Sequence, residues 1–422
     1  MTTAESRPVE ASRPDTDPPR MPDVVTPPPS SWARTAVTRS LVRRALERLP
    51  LQARFADGTR AGLGGPVMEI HDPDAFHRRI GTHGLVGFGE SYMAGEWDAP
   101  DLVAVLSVLA GNAARLIPAP LQKLRGLWAM RRPDVQRNTP TGARDNISRH
   151  YDLSNDLFAL FLDDTLSYSS ALFRGFPASW ALLAEAQHRK IDRLLDLVGA
   201  GPGTRLLEIG TGWGELAIRA AARGAHVTSL TLSREQRILA RERVRAAGLE
   251  DRVSIELCDY REAVGTYDAV VSVEMIEAVG EEFWPVYFAT LDARLAPGGR
   301  VALQAITMPH DRMLASRDTF TWIQKYVFPG GLLPSVEAVD EVTRAHTTLR
   351  TVRRDGFGAH YAETLRLWRE RFTERAAEVA ALGFDETFRR MWTFYLAYSE
   401  AGFRSGYLDV QQYLFEKEAP TP

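Results

Sequence analysis

The sequence predicts an α/β fold of the Rossmann-like type, in which a mostly parallel β-sheet carries helices on both faces. Two observations predict it. From Thr204 onward, strand-like apolar runs alternate regularly with helix-forming runs. The stretch LLEIGTGWG at residues 206–214 also places an apolar strand, a glycine-rich turn and a helix start in order, the arrangement that nucleotide-like cofactors use. We therefore expect a cofactor at the carboxyl edge of this sheet.

Five strands can be assigned in chain order. Their predicted bounds are Thr204–Gly210, Ala225–Leu232, Val253–Cys258, Tyr267–Glu274 and Arg300–Thr307. Ser233 and Gln236 follow the second strand in S-x-x-Q spacing, which predicts a capping box at the start of the next helix. Ligands bind beyond the carboxyl ends of such strands, so residues at these ends are the candidate site residues.

Composition predicts an ordinary intracellular globular protein of two domains. The 422 residues are 45% hydrophobic and 25% charged, with a net charge of −3, which gives no general attraction to nucleic acid. The single cysteine, Cys258, excludes an internal disulfide framework. No apolar run approaches the roughly 18 residues of a membrane helix, and the N-terminus lacks a signal-peptide pattern. We expect a cytoplasmic protein, free or attached peripherally to a membrane.

The N-terminal third divides into a tail and a small domain. Residues 1–30 contain eight prolines and almost no aliphatic residues, which predicts a disordered tail. Residues 31–140 are assigned to an N-terminal domain and residues 141–422 to the cofactor domain. Basic and apolar residues interleave at 32–54 and again at 116–132, a pattern typical of helices that lie on anionic bilayers. Two ordinary domain helices with solvated arginine faces are an equally good interpretation.

The glycine spacing distinguishes between cofactors. A dinucleotide fingerprint requires its third glycine at the position of Glu215, where a carboxylate would face phosphate. The E-x-G-x-G-x-G form instead resembles motif I of S-adenosylmethionine (SAM) methyltransferases, whose cofactor carries a sulfonium and no phosphate. An ordinary glycine-rich turn is the alternative interpretation. The second strand ends without the usual acidic ribose ligand, so Thr231, Ser233 and Gln236 would have to serve instead.

Longer blocks make the chain similar to the cyclopropane-fatty-acyl-phospholipid synthase and mycolic acid methyltransferase family. They are HYDLSND at 150–156, LSYSSALF at 166–173, TLSREQ at 231–236, YVFPGGLLPS at 326–335, HYAETLRLW at 360–368 and FRSGYLDVQQYLF at 403–415. GESYMAGEWD at 89–98 also resembles the extra N-terminal domain of full-length synthases that act on phospholipids. The resemblance implies a seven-stranded sheet with helical lid insertions, a smaller, mainly helical N-terminal domain used for lipid docking or dimerisation, and a homodimer.

The resemblance also implies a SAM site. It places Tyr168 and Ser169 at the amino acid end of SAM, residues 206–214 around it, Thr231, Leu232 and Gln236 at the ribose, and Tyr260 and Arg261 at the adenine. Within 206–214 we name Glu208, Gly210, Gly212, Trp213 and Gly214. Core packing is the alternative role for Tyr168, and strand termination is the alternative for Thr231 and Leu232. No metal site is predicted.

In this family the base is a bicarbonate ion, which the resemblance places at Ser170, Glu277, Gln304, the Ile306 backbone and Tyr361. Two of these positions depart from the family, which has cysteine where Ser170 stands and histidine where Gln304 stands. Bicarbonate capture is therefore in doubt.

Glu274 is a further departure, because the family has glycine there. A carboxylate at this strand end beside Glu277 would lie in the active site, and two close carboxylates cannot both stay ionised easily. Our hypothesis is that Glu274 replaces bicarbonate as the proton acceptor. A structural glutamate that pairs with an arginine or binds the cofactor is the alternative.

The implied reaction is methyl transfer from SAM to the cis double bond of an unsaturated phospholipid acyl chain, through a carbocation. A changed base favours a 10-methylene product, as in actinobacterial relatives that make the precursor of 10-methyl fatty acids, and the cyclopropane is the alternative from the same cation. The methylene product would need a separate flavin- or NADPH-dependent reductase as a partner. A small-molecule O- or N-methyltransferase and an inactive SAM- or lipid-binding protein are the alternatives from other classes.

Overall fold

The computed structural model describes residues 21–112, 138–139, 142, 154–317 and 319–417. Several predicted features lie outside the described residues. They are residues 1–20 of the predicted tail, the second basic segment at 116–132, and the first four residues of the block at 150–156.

The N-terminal unit is mainly helical, as predicted, but it also contains a small sheet that sequence analysis missed. Its elements are α1 (Pro22–Val25), α2 (Trp32–Leu46), β1 (Gln52–Phe55), β2 (Arg60–Ala61), β3 (Val67–Ile70), α3 (Pro73–His83), α4 (Leu85–Met93), β4 (Trp97–Asp98) and α5 (Leu102–Gly111). The strands pair in the order β2-β1-β3-β4. They are two to four residues long, too short to show an alternating pattern.

Part of the predicted tail is ordered. The tail was placed at residues 1–30, whereas Pro22–Val25 form the short helix α1 and Val24 is fully buried. The backbone carbonyl of Val24 accepts a hydrogen bond of 2.6 Å from the buried guanidinium of Arg79, which also forms an ion pair with Glu96. The prolines suggested disorder, but this contact orders the chain from residue 21.

The second sheet has seven strands and confirms the predicted fold class. Its strands are β5 (Arg205–Ile209), β6 (His226–Thr231), β7 (Val253–Leu257), β8 (Tyr267–Val273), β9 (Leu295–Thr307), β10 (Leu349–Gly356) and β11 (Asp409–Lys417), in the order β10-β11-β9-β8-β5-β6-β7. β5 to β9 pair in parallel, and β11 is antiparallel to both of its neighbours. All five strands assigned from sequence are present, although β9 begins five residues earlier than predicted, at Leu295.

Helices connect these strands and form the lid insertions. They are α6 (Asn155–Phe161), α7 (Leu183–Leu197), α8 (Glu215–Ala222), α9 (Arg234–Ala246), α10 (Ile276–Val279), α11 (Trp284–Arg294), α12 (His310–Ser316), α13 (Trp322–Tyr326), α14 (Val336–His346), α15 (Gly358–Glu374), α16 (Ala376–Ala381) and α17 (Glu386–Arg404). The described helices include none long and apolar enough to cross a membrane.

The predicted capping box of α9 is only half formed. Ser233 caps the helix, since its hydroxyl accepts a hydrogen bond from the backbone N–H of Gln236. The Gln236 side chain does not return this bond and instead accepts a hydrogen bond of 3.0 Å from the Thr231 hydroxyl. The amide is thereby held at the carboxyl end of β6, beside the predicted cofactor site.

The N-terminal unit packs against α13 and α17. Arg390 of α17 donates hydrogen bonds to the backbone carbonyls of Tyr92 and Trp97 and pairs with Asp98 at 3.0 Å. Glu90, only 1% exposed, accepts hydrogen bonds from Lys325 at 2.6 Å and from Tyr326 at 2.8 Å, both on α13. These polar contacts fix the N-terminal unit to α13 and α17.

Candidate active site

A cavity opens at the carboxyl edge of the seven-stranded sheet, where the sequence predicted it. Most of the predicted cofactor residues line it: Tyr168, Ser169, Glu208, Gly210, Gly212, Trp213, Thr231, Leu232, Gln236, Tyr260 and Arg261. Gly214 does not line the cavity. It adopts φ +91°, and a Cβ there would lie 3.2 Å from the Cβ of Ala240, so this glycine permits close packing of α8 against α9.

Gly210 and Gly212 shape the cavity through their backbones. They adopt φ +97° and +52°, conformations that favour glycine. A Cβ built on Gly212 would meet no atom within 4 Å, and one on Gly210 would lie 3.0 Å from the side chain of Met275. The turn therefore leaves room for a ligand to approach the backbone closely.

The charges around the cavity suit a cationic cofactor. Four carboxylate residues line it, namely Glu208, Glu215, Asp259 and Glu274, against the two cationic residues Lys190 and Arg261. This excess of acidic groups disfavours a pyrophosphate and fits the sulfonium and ammonium groups of SAM. The residues present therefore fit the predicted cofactor better than a dinucleotide.

Hydroxyl, amide and ring groups surround the other end of the cavity. Thr231 and Gln236 are joined by the hydrogen bond described above, which orients both groups without an acidic residue. The guanidinium of Arg261 pairs with Asp259 at 2.7 Å and lies 5.3 Å from the ring centroid of Tyr260. This rigid group of polar and aromatic side chains is suited to hold a ribose and a flat base.

Glu208 is buried and lines the cavity. Its carboxylate accepts a hydrogen bond of 2.5 Å from the hydroxyl of Ser229. Burial raises the pKa of Glu208 to about 8, although the bond from Ser229 and the charge of Lys190 oppose the rise. At neutral pH its carboxyl group is therefore largely protonated in the absence of a bound cation.

The segment 167–170 covers the opposite side of the cavity. The hydroxyls of Tyr168 and Tyr395 are 2.7 Å apart, and the hydroxyl of Ser169 accepts a hydrogen bond of 2.6 Å from Lys190. The amide of Gln187 donates to the backbone carbonyls of residues 167 and 169. Helix α7, which carries Gln187 and Lys190, therefore holds this segment against the site.

Glu274 lies at the cavity wall and accepts three hydrogen bonds. Its Oε1 accepts from the backbone N–H of Ser170 at 2.9 Å and from Nε2 of Gln304 at 2.7 Å, and its Oε2 accepts from the hydroxyl of Tyr361 at 2.7 Å. The residue adopts φ +50°, which is rare outside glycine. Three of the five positions predicted to hold bicarbonate thus bind this carboxylate.

Ser170 contributes to this arrangement in a different way from the one expected. Its hydroxyl donates to the backbone carbonyl of Ala171, whereas its backbone N–H binds Glu274. The amide of Gln304 is oriented by Gln412, whose Nε2 donates to the Gln304 oxygen at 2.9 Å and leaves the Gln304 nitrogen to donate to Glu274. Both replacements of family residues are therefore compatible with binding a carboxylate.

Glu277 is half-buried and lies close enough to Glu274 for the two charges to interact. Its Oε1 accepts a hydrogen bond of 2.5 Å from the backbone N–H of Ile306, and its Oε2 has no hydrogen-bond partner among the described residues. Burial and the charge of Glu274 raise the pKa of Glu277 to about 8. Burial also raises the pKa of Glu274, against the hydrogen bonds it accepts and the charge of Lys190. Because Glu274 accepts three hydrogen bonds and Glu277 accepts one, we assign Glu274 as the ionised member of the pair.

This arrangement is capable of proton transfer to a carboxylate at the cavity wall. Glu274 lines the cavity, while Ser170, Glu277, Gln304 and Tyr361 lie behind it and orient or polarise it. The described residues contain no group of three or more His, Cys, Asp or Glu arranged to hold a metal.

Lys190 is a charged cavity residue that the sequence analysis missed. It lines the cavity, is 2% exposed, and lies on the apolar face of α7 with Leu183, Ile191 and Leu194. The pattern offered a signal, since Lys190 occupies a position where the helical period places apolar residues.

Comparisons with known proteins show which family the chain resembles. The family described as mycolic acid cyclopropane synthetase matches residues 138–413. The chain is 58% identical over 93% of both lengths to tuberculostearic acid methyltransferase UfaA1 of Mycobacterium tuberculosis. It is 33% identical to the cyclopropane-fatty-acyl-phospholipid synthase of Escherichia coli K12, over 83% of this chain and 87% of that one.

Solved structures show the same relationship. The cyclopropane synthase MmaA2 from M. tuberculosis superposes with a TM-score of 0.60 at 33% identity, covering 65% of this chain and 98% of that one. The mycolic acid cyclopropane synthase CmaA1, solved with S-adenosylhomocysteine (SAH) and CTAB, gives a TM-score of 0.60 at 32% identity over the same shares of both chains.

Proposed function

The chain belongs to the mycolic acid cyclopropane synthetase family and is a SAM-dependent methyltransferase, and we propose that it adds a methyl carbon to the cis double bond of an oleoyl-type phospholipid acyl chain. The product in this proposal is a 10-methylene chain. The observation that carries this proposal is the carboxylate of Glu274 at the cavity wall, bound by three of the positions that the family uses for its base.

SAM, when bound, supplies an electrophilic methyl group at its sulfonium sulfur. The chain's own residues would hold it in the acidic cavity, with Tyr168 and Ser169 at one end and Thr231, Gln236 and Tyr260 at the other. The neutral hydroxyl and amide groups at the second end recognise a ribose without requiring another carboxylate.

The acyl chain carries a cation after it has gained the methyl group, and the product depends on how a proton is then lost. In our proposal, hydride migration moves the positive charge to the methylated carbon. A C–H bond of the new methyl group then breaks, its electron pair forms the exocyclic C=C bond, and the proton goes to Glu274. The protonated partner Glu277 keeps the pair from carrying two charges.

The alternative is ring closure to a cyclopropane from the same cation, and the 33% identity to the E. coli cyclopropane synthase supports it. The higher identity to UfaA1, named for tuberculostearic acid, supports the methylene product. The test is incubation with methyl-labelled SAM and dioleoyl phospholipid vesicles, followed by NMR of the released fatty acids. Vinylidene proton signals are expected, whereas ring proton signals would refute the methylene assignment. Absence of any labelled lipid would refute the proposed function.

We further propose that the enzyme acts at the inner face of the cell membrane, docked through α2. The helix exposes Trp32 at 85%, Val37 at 60% and Leu41 at 41%, beside the exposed residues Arg44 and Arg48, which suits an anionic lipid surface. Val37→Glu should weaken sedimentation with anionic vesicles severalfold. Val352→Glu, at a side chain 54% exposed on β10, is the matched control and should bind like the unmodified enzyme. Equal binding of all three proteins would refute docking through α2.

The proposal includes two protein partners. Full-length relatives suggest a second copy of the chain, and the methylene branch would need a separate flavin- or NADPH-dependent reductase to become a methyl branch. Equilibrium sedimentation tests the dimer, and conversion of the purified 10-methylene lipid by a host extract with NADPH tests the reductase. A monomer at micromolar concentration, or an extract that leaves the lipid unchanged, would contradict the respective partner.

A further inference from the structure

Lys190 is a buried cation to which the proposed reaction assigns no role. The side chain is 2% exposed and lies in α7 among apolar neighbours. Its Nζ donates a hydrogen bond of 2.6 Å to the Ser169 hydroxyl, and among the described residues no other acceptor lies within hydrogen-bond distance of it. A lysine is rarely buried to this extent without a compensating charge. The fold therefore retains this ammonium group for a reason that packing does not supply.

Acidic residues from four elements face Lys190. They are Glu274 after β8, Asp163 after α6, Glu208 in β5 and Glu215 in α8. Burial lowers the pKa of Lys190 to about 8, and the charge of Glu274 is the largest of the effects that oppose this change. The geometry also connects Lys190 with Glu274. Both line the cavity, and Ser169, which accepts the hydrogen bond from Lys190, is followed directly by Ser170, whose backbone N–H donates to Glu274 at 2.9 Å.

Of the other three carboxyl groups, Glu215 has other ion partners, and burial disfavours the ionised form of Asp163 and Glu208. Glu215 pairs with Arg243 at 2.7 Å and with His188 at 2.8 Å. Asp163 accepts a hydrogen bond from the backbone N–H of residue 165, and burial raises its pKa. Burial also raises the pKa of Glu208 to about 8, so it is largely protonated at neutral pH. Burial raises the pKa of Glu274 as well, but this carboxylate accepts three hydrogen bonds, more than any of the other three, and we therefore take it as the ionised group that requires a counter-ion.

We propose that Lys190 is the counter-ion of Glu274: from the wall of the same cavity, its ammonium group keeps that carboxylate in the ionised form that can accept a proton. Lys190 is then a positioning residue that acts through Glu274 and need not touch the acyl chain. This inference rests on the proposed function, because it assigns Lys190 to the proton-transfer step of that reaction.

The charges around Glu274 give the sign of the effect. Its carboxylate faces Lys190, the protonated Glu277, and the donors of Gln304, Tyr361 and the residue 170 backbone. Loss of the only ammonium group in this set removes a stabiliser of the ionised form, so the pKa of Glu274 should rise. Because the base must be ionised, the rate falls at low pH. In a variant without the charge of Lys190, this low-pH side of the pH–rate profile, its acid limb, should move to higher pH.

The main variant is Lys190→Gln, which keeps a hydrogen-bond donor toward Ser169 but removes the charge. Lys190→Met is a second neutral variant if the first does not fold, and Lys190→Arg retains the charge. Gln187→Met is the matched control for loss of a contact with segment 167–170. Gln187 also binds this segment from α7 but carries no charge. Lys325→Met is the control for loss of a lysine outside the cavity.

The experiment measures the rate of label transfer from methyl-labelled SAM to dioleoyl phosphatidylglycerol vesicles between pH 5.5 and 9, and calorimetric binding of SAH over the same range. We expect the acid limb of the neutral Lys190 variants to move up by about one pH unit or more, with SAH affinity changed less than threefold. Lys190→Arg, Gln187→Met and Lys325→Met should keep the limb of the unmodified enzyme, whatever their maximal rates.

Two results in the neutral Lys190 variants would overturn this inference while leaving the proposed function intact: an unshifted acid limb, or a loss of SAH affinity that accounts for their whole loss of rate. The second result would make Lys190 a cofactor ligand. If Gln187→Met shifts the limb as much as Lys190→Gln does, the effect comes from the segment and the inference also fails. If the unmodified enzyme labels no lipid, the proposed function fails and the inference fails with it.

Discussion

Glu274→Gln is the most direct test of the proposed base. The amide has the size of the carboxylate, and its oxygen can keep the hydrogen bonds from the Ser170 backbone and from Gln304. The new NH₂ group would face the hydroxyl of Tyr361, whose oxygen can accept a hydrogen bond. Since all three contacts can be retained, we expect the free energy of unfolding to change by about 1 kcal/mol or less.

The effect on the reaction should be much larger. Loss of a positioned general base lowers the rate by about 10²–10⁴-fold, which corresponds to about 3–5 kcal/mol in the activation barrier. The affinity for SAH should stay within a few-fold, because an amide preserves the shape of the cavity wall. Removing the charge of Glu274 should also lower the pKa of Glu277, so any residual activity should depend on Glu277.

The assay is the initial rate of label transfer from methyl-labelled SAM to dioleoyl phospholipid, measured across pH with SAH binding in parallel. Glu337→Gln, at an exposed glutamate in the first turn of α14, is the matched carboxylate-to-amide control and should have the rate of the unmodified enzyme. If Glu274→Gln keeps more than a tenth of that rate at every pH while binding SAH normally, Glu274 is not the base.

Three other variants test parts of the same structure. Glu274→Gly removes a side chain at φ +50° and leaves its three donors unpaired, so millimolar bicarbonate should raise its labelling rate at least tenfold, and no response would contradict the replacement hypothesis. Burial raises the pKa of Glu90, but the hydrogen bonds from His83, Lys325 and Tyr326 and the charge of Lys325 have a larger, opposite effect and lower this pKa to about 2. Glu90→Gln should therefore cost about 3 kcal/mol in denaturant unfolding at pH 7. Because this contribution is present above about pH 4.5 and is lost as the pH falls toward 2, equal costs at pH 7 and pH 3 would refute it. Gly214→Ala should lower the free energy of unfolding by about 1–3 kcal/mol, because φ is +91° and the new Cβ lies 3.2 Å from Ala240, and an unchanged Tm would refute this role.

Much of the large sheet was predictable because its strands are long enough to show a pattern. The runs beginning near Thr204 and Tyr267 are continuous apolar segments bounded by turn residues, so their bounds agree with the structure to within one residue at each end. The small N-terminal sheet was not predictable, since a strand such as Arg60–Ala61 is too short for any periodicity. Burial of Val24 depends on a contact with Arg79, more than 50 residues away, and local composition cannot reveal it.

The site residues that lie at strand ends were predicted, whereas those whose positions depend on tertiary packing were missed. Glu274 follows β8 directly, so topology alone brings it to the cavity. Lys190 lies on a helix, where a lysine is ordinarily solvated, and its burial requires the segment 167–170 to fold over α7. The hydrogen bond between Thr231 and the Gln236 side chain was likewise not predictable. The S-x-x-Q pattern is already explained by the bond from the Gln236 backbone N–H to the Ser233 hydroxyl.

The position of β11 has a consequence for the order of events during biosynthesis. This strand is late in the sequence yet lies between β9 and β10, pairing with both. Its Gln412 side chain also orients Gln304 toward Glu274. A nascent chain that has been synthesised only to residue 400 therefore lacks a strand inside its sheet and cannot orient the amide that donates to Glu274, the proposed base. Assembly of the proton-accepting group is thus postponed until synthesis has passed residue 412, and a partly made chain has no competent active site.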